Sequence, residues 1–125
     1  MPEPGSIAPP AGPLRGARVV ELCEAIAGPH AGWLLAELGC DVVKLERERG
    51  DPLRGSPAFH VLNRSKRSVR LGSLARAGDA ARLAALLRRA DVLLVDRDLV
   101  RELEPAAAAA LDAEGLAHDN PRLVH

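Results

Sequence analysis

The first segment that could bind a ligand is residues 23–30, which read CEAIAGPH. This segment would join a strand to a helix, and a helix N-terminus offers free N–H groups and a partial positive charge to phosphate. Gly28 would let a ligand approach the backbone, and His30 could act as an acid or a base. The nucleotide fingerprint G-x-G-x-x-G is absent, so an ordinary strand-to-helix connection is the alternative.

The second segment is residues 44–47, KLER, at the end of the next apolar run. A basic residue at this position can meet a nucleotide phosphate or stack on a purine. Glu46 could hydrogen-bond ribose hydroxyls, as an acidic residue does in many dinucleotide-binding proteins. The alternative is a strand that ends in a charged, solvated loop.

Two further segments contain basic residues that could bind anions. In residues 50–55, GDPLRG, Asp51 and Arg54 pair with each other or leave Arg54 available to an anion. In residues 63–67, NRSKR, three basic residues including Lys66 indicate phosphate binding. Solvated surface turns are the alternative for both segments.

The remaining candidate residues, the segment 96–98 and the two cysteines, give weaker indications of a functional site. Residues 96–98, DRD, are more typical of local ion pairing than of catalysis. Cys23 and Cys40 fit neither a disulfide framework nor a four-ligand zinc site. We expect both cysteines in the core, with thiol pKa values raised by Glu24 next to Cys23 and by the end of a helix at Cys40.

Strands that alternate with helices must position these segments. Because such alternation implies a parallel sheet with right-handed crossovers, we predict an α/β fold. It would be a Rossmann-like half with a short parallel sheet of order 3-2-1-4, nearly all apolar strands and helices on both faces. The predicted strands are 18–22, 41–46, 68–71 and 91–95, with a further strand starting at 122–125; the predicted helices are 30–38, 59–62, 78–90, 99–104 and 106–116, the last two separated by Pro105.

Composition limits the number of domains and the kinds of partner that we expect for this chain. The 125 residues suggest one domain, and 17 basic residues balance 17 acidic ones. One Phe, one Trp and no Tyr count against folds that stack nucleic-acid bases, so no nucleic-acid partner is expected. The sequence shows neither a signal peptide nor a membrane span, and we expect a cytoplasmic protein with no membrane partner. Residues 1–13 are rich in proline and are predicted to form a disordered leader before an ordered part, residues 14–125.

The set of motifs, in this order and at this spacing, is much more specific for one protein family than any single motif is. The set AGP, LGCDVVKLE, GDPLRG and NRSKRS over residues 14–125 resembles the family III CoA-transferases, the CaiB–BaiF family. The resemblance implies a CoA-binding N-terminal portion of an enzyme that moves CoA between carboxylic acids through acyl thioesters. Coenzyme A or acyl-CoA is the implied ligand, without a metal. The CoA contacts implied by the resemblance are Ala25, Ala27, Gly28, Pro29, Arg47, Arg54, Lys66, Leu71 and Asp96.

The sequence also departs from the family pattern. Leu74 stands where some members have a lysine, and residues 96–99 replace an Asn-Phe-Arg-Pro-Gly stretch that holds adenosine. The family's catalytic aspartate lies after the strand that begins at Arg122, so no residue of this chain matches a catalytic residue, and the chain alone is expected to be inactive.

The α-methylacyl-CoA racemases share the fold and the opening motifs. A racemase portion, a stand-alone or degenerate CoA-binding module, and a small subunit of a split enzyme are the alternatives. The expected protein partners are a second copy in a homodimer or a missing C-terminal chain.

Overall fold

A computed structural model describes residues 11–72, 77–103 and 105–125. Most of the predicted leader and Leu74 lie outside the described residues, so disorder over residues 1–13 stays a prediction. The described part contains the strands β1 (Arg18–Leu22), β2 (Asp41–Glu46), β3 (Arg67–Arg70) and β4 (Val92–Val95). All pairings are parallel and the order is β3-β2-β1-β4, which confirms the predicted topology.

Helices cover both faces of the sheet, as predicted. They are α1 (Ala27–Glu37), α2 (Pro57–Asn63), α3 (Ala77–Leu87), α4 (Arg97–Arg101), α5 (Pro105–Ala110) and α6 (Ala113–Asp119). On one face, α1 covers a small cluster of Val19, Ala36, Cys40 and Val42. On the other face, α3, α5 and α6 cover the larger core, which includes Val20, Val43, Leu83, Leu93, Ala107 and Leu116.

Three helix predictions need correction, each for a local reason. The first helix begins at Ala27 because Pro29 fits in a first turn, where its missing N–H is not needed. The helix predicted over 99–104 is α4, which ends at Arg101, and Pro105 is the first residue of α5 and not a break between helices ending at 104 and starting at 106. The predicted helix at 106–116 is two helices, because Asp112 caps α6 by accepting a hydrogen bond from the N–H of Gly115.

The sheet edges differ from the expectation of strands covered on both faces. All four residues of β3 are exposed, so this edge strand lies open to solvent. At the opposite edge, Val124 forms a parallel bridge with Val92 and accepts a hydrogen bond from the N–H of Leu93 at 2.8 Å. The pairing predicted for residues 122–125 is therefore present only as this one bridge, because Arg122, where the strand was predicted to begin, lies in a turn. None of the described helices is long and apolar enough to cross a membrane.

Candidate functional site

The carboxyl ends of the four strands meet at one edge of the sheet, where ligands bind in open α/β folds. Arg47 follows β2 at this edge and joins two other segments. Its Nε and Nη2 donate to the carboxylate of Glu24, after β1, at 2.9 and 2.8 Å, and its Nη1 donates to Glu102, after α4, at 2.6 Å. Hydrogen bonds to Glu24 are the main reason that the pKa of Arg47 is raised, so the guanidinium stays charged.

A shallow pocket opens beside this ion cluster. It has a volume of about 350 Å³ and is lined by Arg47, Glu48, Arg49, Gly72 and Glu102. The side chain of Arg47 is 16% exposed and that of Glu102 is 59% exposed. Arg49 is more open still and lies 4.0 Å from Glu102. The pocket therefore presents two guanidinium groups whose shared carboxylate is solvated, an arrangement that suits an anionic ligand.

The turn at residues 23–29 borders the same edge. Helix α1 starts there without a side-chain cap and without an acidic residue in its first turn, which leaves its partial positive charge uncompensated. Ala25 has a φ of 60°, a left-handed conformation that is uncommon for a residue with a Cβ. A Cβ on Gly28 would lie 2.3 Å from Cβ of Cys23, so this glycine is required by packing within the turn.

Lys44, the first basic residue of segment 44–47, does not line the pocket. It is almost wholly buried beneath α1. Its Nζ lies 3.2 Å from Oε1 of Glu21 and 2.9 Å from Oδ2 of Asp51, and it donates to the carbonyl oxygen of Cys23 at 2.8 Å. Asp51 thus pairs with Lys44 and Arg54 pairs with Glu46, so neither alternative for residues 50–55, a pair between Asp51 and Arg54 or an unpaired Arg54, is what the structure shows.

Glu46 is likewise buried and does not face a ribose. Nε and Nη2 of Arg54 donate to it at 2.6 and 2.5 Å, the N–H of Asp51 donates at 3.0 Å, and Ser68 donates through its hydroxyl. Burial by itself raises the pKa of this carboxyl. The hydrogen bonds and the charge of Arg54 outweigh burial and hold the pKa of Glu46 at about 2.

Lys66 is buried on the same face of the sheet. Its side chain is 1% exposed. Its Nζ donates to Oε2 of Glu21 at 2.7 Å, to the carbonyl oxygen of Pro29 at 2.7 Å and to Oδ1 of Asn63 at 3.2 Å. All three protons of the ammonium therefore have protein acceptors.

The nine predicted CoA contacts lie in different settings, and one of them, Lys66, directly precedes β3 at the amino end of that strand. Ala25, Ala27 and Arg54 are exposed, and Gly28, Arg47 and Asp96 are half-buried. Pro29 and Leu71 are buried, and Asp96 caps α4 by accepting from the N–H of Asp98. No bound ligand tests these contacts, and they stay predictions.

Sequence reasoning missed Glu21, Arg49 and Glu102. A signal for Glu21 was present, because it is a lone acid in the apolar strand RVVEL and lies beside Lys44 in the parallel register. Glu102 carried no such signal, because it meets Arg47 only through the tertiary fold.

Both cysteines lie in the core, as expected. The pKa of Cys23 is raised to about 12, by burial first and by the charge of Glu21 second, whereas Glu24 had been expected to raise it. Burial first, and Asp91 second, raise the pKa of Cys40. Both thiols are therefore poor nucleophiles. Across the described ranges, His, Cys, Asp and Glu side chains form no group of three suited to a metal ion.

Comparison with known proteins identifies relatives of nearly the whole chain. The family model of CoA-transferase family III matches residues 14–125. A succinate–glutarate CoA-transferase from Agrobacterium fabrum is 36% identical over 129 residues, which cover 90% of this chain and 31% of the relative. An alpha-methylacyl-CoA racemase from Mus musculus is 36% identical over 117 residues, covering 90% of this chain and 26% of the relative.

Solved structures show the same architecture. A hypothetical protein from Mycobacterium tuberculosis superposes with a TM-score of 0.78 at 32% identity, over 92% of this chain and 33% of that chain. A CaiB/BaiF family protein from Brucella suis gives a TM-score of 0.78 at 32% identity, over 90% of this chain and 32% of that chain. This chain thus spans about a third of the length of each matched structure.

Proposed function

Because this chain belongs to CoA-transferase family III, we propose that residues 14–125 are the CoA-binding N-terminal portion of an enzyme that moves CoA between carboxylic acids. The observation that carries the proposal is the open pocket beside Arg47 and Arg49 at the carboxyl edge of the sheet. CoA is an anionic ligand with a pyrophosphate and a ribose phosphate, and guanidinium groups bind such oxygens through paired hydrogen bonds. We place the aspartate that carries the acyl chemistry outside this chain, and assign no catalytic residue within it.

In this proposal Arg47 contacts a phosphate of CoA, and the phosphate replaces the carboxylate of Glu102 as a partner of the guanidinium group. The pair between Arg47 and Glu24 is half-buried and doubly hydrogen-bonded, so it holds the guanidinium in place. The contact with Glu102 is solvated, and ion pairs of that kind contribute about 0–1 kcal/mol. A phosphate carries at least as much negative charge as one carboxylate and offers more acceptor oxygens, so it can replace Glu102 without disturbing Glu24.

The test is calorimetric titration of the 125-residue chain with CoA, dephospho-CoA and pantetheine. We expect CoA to bind with a dissociation constant on the order of micromolar. Arg47→Ala should weaken it at least tenfold, the loss of roughly one charge-assisted hydrogen bond. Glu102→Gln should tighten binding roughly two- to fivefold, because it removes a competing solvated carboxylate. Pantetheine, which lacks the phosphates, should bind more weakly than CoA, and dephospho-CoA identifies which phosphate is recognised.

The matched control is Arg67→Ala. Arg67 pairs with Asp41 through two hydrogen bonds at the opposite, amino edge of the sheet, so its removal deletes a comparable ion pair away from the pocket. Binding of CoA should be unchanged in this variant. Absence of any CoA binding by the wild-type chain, or equal affinity in Arg47→Ala and wild type, would refute the proposal and favour a degenerate module.

The N-terminal portion of an α-methylacyl-CoA racemase is the second candidate, favoured by the mouse relative. The two activities differ in chemistry, because a racemase exchanges the α-proton of an acyl-CoA and a transferase exchanges the acyl group. We expect the purified chain to catalyse neither. In heavy water, incorporation of deuterium at the α-carbon of a 2-methylacyl-CoA by this chain mixed with a separate C-terminal chain would support the racemase alternative. Activity that appears only when a separate C-terminal chain is added would support a small subunit of a split enzyme.

A further inference from the structure

Two buried lysines donate hydrogen bonds to opposite ends of the turn that leads from β1 into α1. Lys44 donates to the carbonyl oxygen of Cys23 at 2.8 Å, and Lys66 donates to the carbonyl oxygen of Pro29 at 2.7 Å. The carboxylate of Glu21 lies between them and accepts from both, through Oε1 at 3.2 Å and Oε2 at 2.7 Å. Both ends of the turn are therefore hydrogen-bonded to one buried unit, which consists of Lys44, Glu21 and Lys66.

This unit lies directly beneath the first half of α1. A Cβ on Gly32 would stand 1.8 Å from Oε2 of Glu21 and 3.1 Å from Nζ of Lys66, so the helix approaches the charges as closely as a backbone can. Buried charges are costly unless they are paired and fully hydrogen-bonded. Loss of either lysine would remove one donor from a backbone carbonyl and one from the Glu21 carboxylate, in a site that water does not reach.

The turn needs such anchors because its own backbone does not favour the observed shape. Ala25 is left-handed, and a residue with a Cβ retains that conformation only where its surroundings impose it. Helix α1 has no side-chain cap of its own to set the first turn. The two ammonium groups supply contacts from outside the segment that fix where it starts and ends.

We propose that Lys66, together with Lys44 and Glu21, is a positioning residue that sets the conformation of the turn at residues 23–29. Its ammonium holds Pro29 in place and does not itself contact a ligand. The effect on CoA affinity rests on the proposed function above, whereas the effect on the turn does not. The turn then presents the N-terminus of α1 to the ligand edge in one fixed orientation.

The test compares Lys66→Met with wild type by amide hydrogen exchange without ligand and by CoA titration. The probe in the turn is the N–H of His30, which donates to the carbonyl oxygen of Ile26 at 2.9 Å. The reference is the N–H of Cys40, which donates to Leu35 at 3.0 Å at the other end of the same helix. We expect exchange at His30 to accelerate about tenfold or more relative to Cys40, and CoA affinity to fall by about the same factor.

Two further variants keep the test decisive. In Lys66→Met, the carboxylate of Glu21 keeps its charge but has only Lys44 as a lysine partner. The double variant Glu21→Gln/Lys66→Met removes that charge as well, and it still lacks the donor to the carbonyl oxygen of Pro29. It therefore replaces the single variant in the test if Lys66→Met fails to fold. Ser68→Ala removes a donor to buried Glu46 on the same face but touches no part of the turn. It should leave the exchange ratio and the CoA affinity unchanged.

The outcomes separate this proposal from the proposed function. A purely structural role for Lys66 would accelerate His30 and Cys40 equally through global unfolding, and that result would overturn the positioning role. Faster exchange confined to the turn supports it even if the wild-type chain binds no CoA, in which case only the proposed function fails. If Lys66→Met accelerates exchange at His30 but not at Cys40 and leaves CoA affinity unchanged, the conformation of the turn does not contribute to CoA binding.

Discussion

Replacing Glu46 with glutamine should make the stability of this protein less sensitive to acid. The carboxylate is buried and accepts hydrogen bonds from Arg54, Ser68 and the backbone of Asp51, which hold its pKa at about 2 against an ordinary value of 4.5. At 1.36 kcal/mol per pKa unit, this difference corresponds to about 3 kcal/mol of stability at neutral pH.

The direction of the effect follows from which state binds the proton more tightly. The pKa of Glu46 is lower in the folded than in the unfolded chain, so the unfolded chain takes up the proton first as the pH falls. The stabilisation is complete well above the ordinary pKa of 4.5, decreases below it and is lost once the pH passes below about 2. By about pH 3, about 2 kcal/mol of it should be gone.

Urea unfolding at several pH values between about 7 and 3 measures this contribution. Glu46→Gln should be less stable than wild type by about 2–3 kcal/mol at neutral pH, and the difference should shrink to about 1 kcal/mol near pH 3. Glu37→Gln is the matched control, because Glu37 is half-exposed and its only ion pair is a loose one with Arg64 at 3.6 Å among the described residues. A constant difference between Glu46→Gln and wild type across this pH range would refute the reasoning.

Two further predictions concern packing and reactivity. Gly28→Ala should destabilise the fold by about 2 kcal/mol or more in urea unfolding, because its Cβ would lie 2.3 Å from Cβ of Cys23. Gly78→Ala, in α3, where no atom of the described residues lies within 4 Å of the new Cβ, should stabilise the fold by about 0.5–1 kcal/mol. A larger loss of stability in Gly78→Ala than in Gly28→Ala would contradict this reasoning. Cys23, with a pKa of about 12, should resist a thiol reagent in the native state and react fully in urea; rapid native labelling would show that the site is open.

The topology was predictable because it depends on local signals. Each apolar run is separated from the next by a helical pattern, and right-handed crossovers then leave few ways to arrange four parallel strands. The helix boundaries were less predictable, because Pro105 is compatible with both a break and a first helical position. The predicted order already places β3 at an edge, but the general expectation of apolar strands covered on both faces did not allow for its four exposed residues.

The candidate site was predictable in its position but not in its contacts. Arg47 lies at the carboxyl edge, as the end of an apolar strand indicates. Its partners Glu24 and Glu102 are 23 and 55 residues away, and no local pattern identifies pairs at such separations. The same holds for Lys66, which meets Glu21 across 45 residues.

The motif lysines and arginines serve two different physical purposes, and burial of their acceptors decides which. Lys44 and Lys66 are enclosed with acceptors that have no access to water, so a ligand phosphate could reach them only by opening the turn. Arg47 has one enclosed acceptor and one solvated acceptor, so an anion can replace the solvated one at small cost. A basic residue in a CoA-binding motif is therefore a candidate ligand contact only where part of its hydrogen-bonding capacity is held by a group that water already reaches. By that criterion we favour Arg47 and Arg49 as the contacts to test first, while the predicted contact at Lys66 stays untested.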